Sequence, residues 1–211
     1  MKGMGDDSVD VVITSPPYNR KSNVKYAKYN DTLKDVEYEK LLHSSIEECM
    51  RISKGFVFYN IQKTYYNKNQ VYSLFEKYKE VLVENIVWVK KNPAPATGVS
   101  ITNAYEFILV FNKNKKSLKS NKTYTKNILI TSVYSNNPYK EVHKAVMKPE
   151  VVKYIIENFT KEGDIILDPF MGVATTGEVS LINKRHFIGI ELIKDYFEIS
   201  KQRLENIKTI E

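Results

Sequence analysis

Two short runs of this sequence carry residue types that suit chemistry on a planar, nucleoside-like ligand. The first is Thr14-Ser15-Pro16-Pro17-Tyr18-Asn19. Consecutive prolines fix the backbone and remove two N–H donors. They leave the carbonyls of Ser15 and Pro16 free, beside the Ser15 hydroxyl and the Tyr18 ring. Rigid acceptors next to a stacking surface suit a planar ligand that bears an amino group. The second run is Asp168-Pro169-Phe170-Met171-Gly172-Val173-Ala174-Thr175-Thr176-Gly177, with Glu191 nineteen residues after Gly172. Glycine lets the backbone approach a ligand closely. An acid ending the next strand can accept hydrogen bonds from both hydroxyls of a ribose. The dinucleotide spacing G-x-G-x-x-G is absent, and no Gly-Lys-Ser/Thr phosphate loop follows. The pattern therefore favours a nucleoside cofactor without a pyrophosphate.

Both runs need strands to hold them. Residues 9–14 (VDVVIT) form a short apolar run that stops at the prolines, as a buried strand does. Residues 36–52 place Tyr38, Leu41, Leu42, Ile46 and Cys49 at helical spacing. A strand at 56–59 and a helix at 65–79 follow. Residues 81–89 and 105–111 are β-rich and are separated by a loop at 92–102. A further strand is expected at 128–133. Pro149 suits the first turn of a helix running to 159. Then come a strand at 164–168, a helix at 174–183, a strand at 187–191 and a closing helix at 194–207. This alternation predicts an α/β fold, a mostly parallel sheet with helices on both faces.

The chain has 211 residues, the length of one ordinary domain, and its 42% hydrophobic content supports a real core. No run approaches the roughly 18 apolar residues of a membrane span, and the first ten residues carry no secretory signal. The lone Cys49 excludes a disulfide framework and a cysteine-rich zinc site, and its helical position predicts core packing. These facts predict a cytoplasmic protein. The histidines lack metal-ligand spacing, so no metal is expected; His43 is expected to be solvated on a helix and His186 to be structural. The net charge is +7, and residues 112–148 alone hold nine lysines against one acid, Glu141. A polyanion is the natural partner of such a stretch.

Together, and in this order, the two runs resemble the S-adenosylmethionine-dependent DNA amino-methyltransferases of the circularly permuted beta arrangement. In these N4-cytosine and N6-adenine methylases a (D/N/S)-P-P-(Y/F/W) motif precedes D-P-F-x-G-x-G-T-T. The likeness extends through Trp88-Val89-Lys90, through Glu106 to Val110, through His143 with Lys148-Pro149, and through Gly189-Ile190-Glu191. It implies a Rossmann-like methyltransferase domain over 1–211 with a target-recognition insert at 112–142. S-adenosylmethionine is the implied cofactor, held by Asp168, Pro169, Phe170, Gly172, Thr175, Thr176, Glu191 and Lys148. Ser15, Pro16, Pro17 and Tyr18 are the implied catalytic residues. The target amine donates to the Ser15 side chain and the Pro16 carbonyl, and Tyr18 stacks on a flipped-out base.

In the same reading Lys113, Lys115, Lys116, Lys119 and Lys122, with Arg20 and Lys21, meet phosphates. Tyr124, Tyr134, Asn136, Asn137 and Tyr139 reach bases, and Lys25, Tyr26, Lys28 and Tyr29 belong to a substrate-side loop. Serine at the first motif position favours cytosine N4. Adenine N6, an RNA base amine, and a non-catalytic nucleic-acid binder are the alternatives. Ring-carbon methylation is set aside because Cys49 lies at a core position. DNA is the implied partner, with no membrane; a second copy of the chain and a restriction endonuclease are partners the resemblance leaves open. The chain departs from the pattern twice. Ala174 stands where a glycine is usual, adding a methyl near the cofactor. The strand that usually lies beside the Glu191 strand is missing, so either another segment or a second copy covers that edge, or cofactor binding is weak.

Overall fold

The structure, a computed structural model, describes residues 1–20, 32–96, 100–143 and 145–208. Its strands are β1 (Val11–Thr14), β2 (Val57–Ile61), β3 (Leu82–Lys90), β4 (Tyr105–Phe111), β5 (Ile128–Thr131), β6 (Ile165–Asp168) and β7 (His186–Gly189). They form one seven-stranded sheet in the order β5-β3-β4-β2-β1-β6-β7. Pairing is parallel throughout except around β4, which runs antiparallel to both its neighbours. The carboxyl ends of all the other strands therefore share one edge, where ligands bind in open α/β sheets.

The period-two alternation of the strands splits their side chains between two cores. Val12, Val57, Tyr59 and Leu109 face α1 (Asp35–Ile52) and α2 (Lys68–Lys77), which bury Leu42, Ile46, Val71 and Leu74 against them. Val11, Ile13, Phe58 and Val110 face the other way, towards α3 (Pro149–Phe159) and α4 (Thr175–Ile182). Helix α5 (Lys194–Lys208) packs beside α4. Cys49 is fully buried in the first core, and burial pushes its thiol pKa up, as its helical position predicts. Among the described residues no helix is long and apolar enough to cross a membrane.

The differences from the sequence reading have local causes. Val9 makes a single bridge to Ser53, so β1 starts at Val11. Glu191 lies two residues beyond β7, in the following turn. His43 is not solvated: its Nδ1 meets the Tyr78 hydroxyl at 3.1 Å, joining α1 to the end of α2. The stretch 112–142 is woven into the sheet through β5, which pairs parallel with β3, and the Trp88 indole donates to Thr131 Oγ1 at 2.9 Å. At the opposite margin, no described residue pairs with the outer side of β7, and Ile188 is 39% exposed there.

Candidate active site

The turn after β1 and the turn after β6 line one cavity of about 370 Å3. The buried carboxylate of Asp168 joins them. Its Oδ1 accepts from the Thr14 hydroxyl at 2.6 Å and from Phe170 N–H at 3.0 Å, and its Oδ2 accepts from the Thr176 hydroxyl at 2.7 Å. One side chain thus fixes the end of β1, the turn after β6 and the start of α4. Burial raises the Asp168 pKa from 3.8 to about 6, although its three donors pull the other way.

This shift has a sign that can be checked. Between those two values the folded chain holds a proton that the unfolded chain has released, so wild-type stability falls as the pH rises through that window. A shift of this size corresponds to about 3 kcal/mol. The Asp168→Asn variant cannot titrate there. Urea titrations at about pH 4 and about pH 7 are expected to show the wild type losing ground to the variant by roughly that amount. A stability difference that stays constant with pH would sink this account.

Around the second turn, Gly172 has φ +54°, and its N–H donates to Glu191 Oε2 at 2.9 Å. The other Glu191 oxygen accepts from Ile193 N–H at 2.8 Å. One carboxylate therefore ties together the two loops that wall the cavity. A Cβ on Gly172 would lie 3.1 Å from His143 Nε2, so glycine is needed for both its backbone and its space. His143 packs against Tyr196 with tilted rings, centroids 4.7 Å apart, and burial pushes its pKa down to about 4. The neutral ring accepts from Ala145 N–H at Nδ1, so the proton sits on Nε2.

Ala174 caps α4 in the left-handed region, at φ 59° and ψ 42°, and is fully buried. It does not line the cavity. The alanine therefore acts through backbone strain of about 1–2 kcal/mol, and not through a methyl pressed on a ligand as expected from sequence. Arg203 on α5, unremarked in the sequence, donates to the Val173 carbonyl at 2.8 Å and to Thr175 Oγ1 at 3.3 Å, and pairs with Glu178. It clamps this turn from behind. Lys148 is buried with its Nζ on the Ser132 carbonyl at 2.9 Å and on Glu150, and does not line the cavity.

The first turn is held just as firmly. Tyr38 donates to the Pro17 carbonyl at 3.0 Å. The Tyr18 hydroxyl donates to Glu106 Oε2 at 2.8 Å and accepts from Asn60 Nδ2 at 2.7 Å. Glu106, buried at the start of β4, forms an ion pair with Lys90 at the end of β3. Burial first, then the Glu106 charge, raises the Tyr18 pKa well above its usual value, so the phenol keeps its proton. These bonds fix a direction. Tyr18 has one proton and gives it to Glu106. Ser15 Oγ, 2.9 Å from the same hydroxyl, must then donate to Tyr18. Its lone pairs are left to accept from whatever enters the cavity. Asn60, Lys90 and Glu106 were not among the expected site residues; the only hint was that Lys90 and Glu106 fall in segments of the family likeness.

The expected phosphate contacts do not assemble around the cavity. Lys113 binds Asp7 at 2.5 Å, Lys115 binds Glu80 at 3.1 Å, and Lys122 binds Glu157 at 2.8 Å. These acids precede β1, precede β3 and end α3, so the lysines lie at the edge opposite the cavity. Lys116 and Lys119 share that stretch, as does Tyr124, which is 97% exposed. The cause is β4: running antiparallel, it delivers the chain after Phe111 to the far edge. Asn137 is spent holding its own loop, accepting from Tyr139 N–H and donating to the His143 carbonyl. The Tyr139 ring lies under Arg203. Arg20 stays beside the site, donating to Gln62 at 2.6 Å. Lys21, Lys25, Tyr26, Lys28 and Tyr29 fall outside the described residues. Among the described residues no group of three His, Cys, Asp or Glu is placed to hold a metal ion.

Residues 9–202 match the N6/N4 methyltransferase family model, described as DNA methylase. The type II methyltransferase M2.DpnII of Streptococcus pneumoniae is 31% identical, the match covering 96% of this chain and 84% of that protein. The type II methyltransferase M.HinfI of Haemophilus influenzae is 27% identical over 99% of this chain, which spans 66% of its length. Among solved structures, the M1.HpyAVI complex with S-adenosylmethionine is 27% identical with a TM-score of 0.67, covering 96% of this chain and 90% of that one. The PvuII cytosine-N4-specific DNA methyltransferase shares the fold, with a TM-score of 0.76 at 20% identity, covering 99% of this chain and 86% of that one.

Proposed function

The chain belongs to the N6/N4 DNA methylase family, and from that premise we propose that it transfers a methyl group from S-adenosylmethionine to the exocyclic amine of a base in DNA, with cytosine N4 the favoured target. The observation that carries this reading is the joining of the two turns, through Thr14 and Asp168, around one cavity. The choice of cytosine is supported by Ser15, the first-position residue commoner among cytosine-modifying members of the resembled family.

The residues present fit the cofactor. The cavity volume lies within the roughly 300–1,000 Å3 of small-molecule sites. Its wall combines apolar Pro169, Phe170 and Leu192 with the Glu191 carboxylate, and Gly172 leaves room that a Cβ would fill. Asp168 shapes the floor, Glu191 is the acid the family resemblance assigns to the ribose hydroxyls, and His143 presents an N–H on the same side. When bound, the cofactor supplies an electrophilic methyl group on a sulfonium.

The chain's own residues deal with the other reactant. A base amine is a poor nucleophile because its lone pair is delocalised into the ring. Ser15 Oγ and the Pro16 carbonyl accept its two N–H bonds and favour the pyramidal nitrogen of the transition state, where positive charge develops. Ser15 and Pro16 would hold the amine with its lone pair towards the cofactor side of the cavity; transfer would leave the cofactor sulfur as a neutral thioether with the electron pair, and the methylated nitrogen would give up one proton to water. Lys90, Glu106 and Tyr18 keep the Ser15 hydroxyl turned so that it accepts. The deciding experiment is to express the chain in a host lacking these modifications, digest the DNA to nucleosides and analyse them by mass spectrometry, with Ser15→Ala as control. N4-methylcytosine that vanishes in the control is the expected result. N6-methyladenine would move the target, and unmodified DNA would defeat the proposal.

A further inference from the structure

The loop after β2 and the first turns of α2 carry an exposed cluster that the catalytic reading leaves unused. Tyr65, Tyr66 and Tyr72 are 79%, 52% and 53% exposed. Scattered exposed aromatics are ordinary, but a contiguous group usually marks an interaction site. The Tyr65 and Tyr66 rings meet edge to face with centroids 5.5 Å apart. Lys68 Nζ lies 5.1 Å from the centre of the Tyr65 ring, and Lys63 Nζ lies 5.7 Å from that of Tyr72.

Charge and rigidity narrow the partner. Residues 62–75 contain these two lysines and no acid. Among the described residues neither lysine forms an ion pair, whereas Lys113, Lys115 and Lys122 are each neutralised by an acid. The loop is also fastened to the catalytic turn. The Asn67 side chain is fully buried; it accepts from Thr64 N–H at 2.6 Å and donates to the Tyr18 carbonyl at 2.8 Å and the Gln62 carbonyl at 3.0 Å. Arg20, next to that turn, reaches Gln62. A surface pinned to the backbone of Tyr18 keeps a fixed distance from the reacting base.

We propose that Tyr65, Tyr66 and Tyr72 with Lys63 and Lys68 form the surface that grips the DNA flanking the flipped base, in place of the lysine-rich stretch at the far edge. The ammonium groups meet phosphates, and the tyrosine rings pack on exposed base or sugar faces. This inference rests on the function proposed above. Its test is duplex binding by fluorescence anisotropy across a salt series, together with methyl transfer and cofactor affinity, the last serving as the check that each variant is folded. Tyr65→Ala combined with Tyr66→Ala is expected to weaken duplex binding by about tenfold or more. Lys63→Gln with Lys68→Gln is expected to lower the log–log salt slope by about 0.9 for each phosphate no longer neutralised. The triple variant Lys115→Gln, Lys116→Gln and Lys119→Gln is expected to bind as the wild type does. Unchanged affinity and slope in the first two variants, with the wild type active on DNA, would overturn the surface but leave the function standing. Weakened duplex binding in those variants, with a wild type that methylates no DNA, would uphold the surface and sink the function. Effects confined to an RNA duplex would overturn the choice of DNA.

Discussion

Glu106→Gln, a change of one atom at a position with no access to the cavity, is expected to slow methyl transfer by about a hundredfold while leaving cofactor affinity unchanged. The argument is one of hydrogen-bond direction. Lys90 can only donate, so it takes the amide oxygen and leaves the amide nitrogen facing Tyr18 and Asn60. Tyr18 then receives where it used to give, and its proton turns to Ser15 Oγ. The serine proton is pushed into the cavity, towards an amine that is itself a donor. A catalytic acceptor has become a donor, and the Asn60 Nδ2, which donated to the lost carboxylate oxygen, must turn away from the new amide N–H groups. Single-turnover kinetics at saturating cofactor and DNA would measure this, and a wild-type rate would mean that Ser15 takes its orientation from elsewhere.

Glu191→Gln is expected to weaken S-adenosylmethionine binding about ten- to a hundredfold, as judged by calorimetry. Both carboxylate oxygens accept backbone N–H groups, from Gly172 and Ile193. An amide offers one acceptor and sets a donor against the other N–H. Each charge-assisted bond of this kind contributes roughly 1.5–3 kcal/mol. The damage falls on the two loops that form the cavity, so the substitution is expected to do nearly as much harm as Glu191→Ala. An affinity close to wild type for the glutamine variant would show that neither the loops nor the bound ligand depends on the second carboxylate oxygen.

What the sequence made legible was local. The apolar runs ending at Ser15-Pro16-Pro17 and at Asp168 announce strand ends, because a buried strand must stop where the chain turns. The helical spacing of Tyr38, Leu42, Ile46 and Cys49 marks a face that the structure buries. What stayed hidden depends on strand direction. Nine lysines in one stretch fix a sum of charge but not where it lies, and the reversal at β4 carried Lys113, Lys115 and Lys122, which precede β5, to the far edge. The same reversal brings Glu106, the second residue of β4, to the cavity end of the sheet, 46 residues from Asn60 and 16 from Lys90. No spacing rule connects these three. Arg203 was equally invisible, since a single arginine on a closing helix looks like any solvated cation until the turn it clamps is in view.

The pairing of β1 with β6 has a consequence for how the chain is made. Thr14 and Asp168, hydrogen-bonded across that seam, are 154 residues apart. A ribosome adding about 5–20 residues per second needs roughly 8–30 s to travel between them. Throughout that interval Val11–Thr14, a strand buried along its whole length in the finished protein, has one edge with nothing to pair with. Contacts of such long range also make for slow folding after release. The nascent chain thus spends its longest pause with the middle of its sheet open on one side. Its yield in a cell depends on keeping that edge from other strands until the last fifth of the sequence emerges.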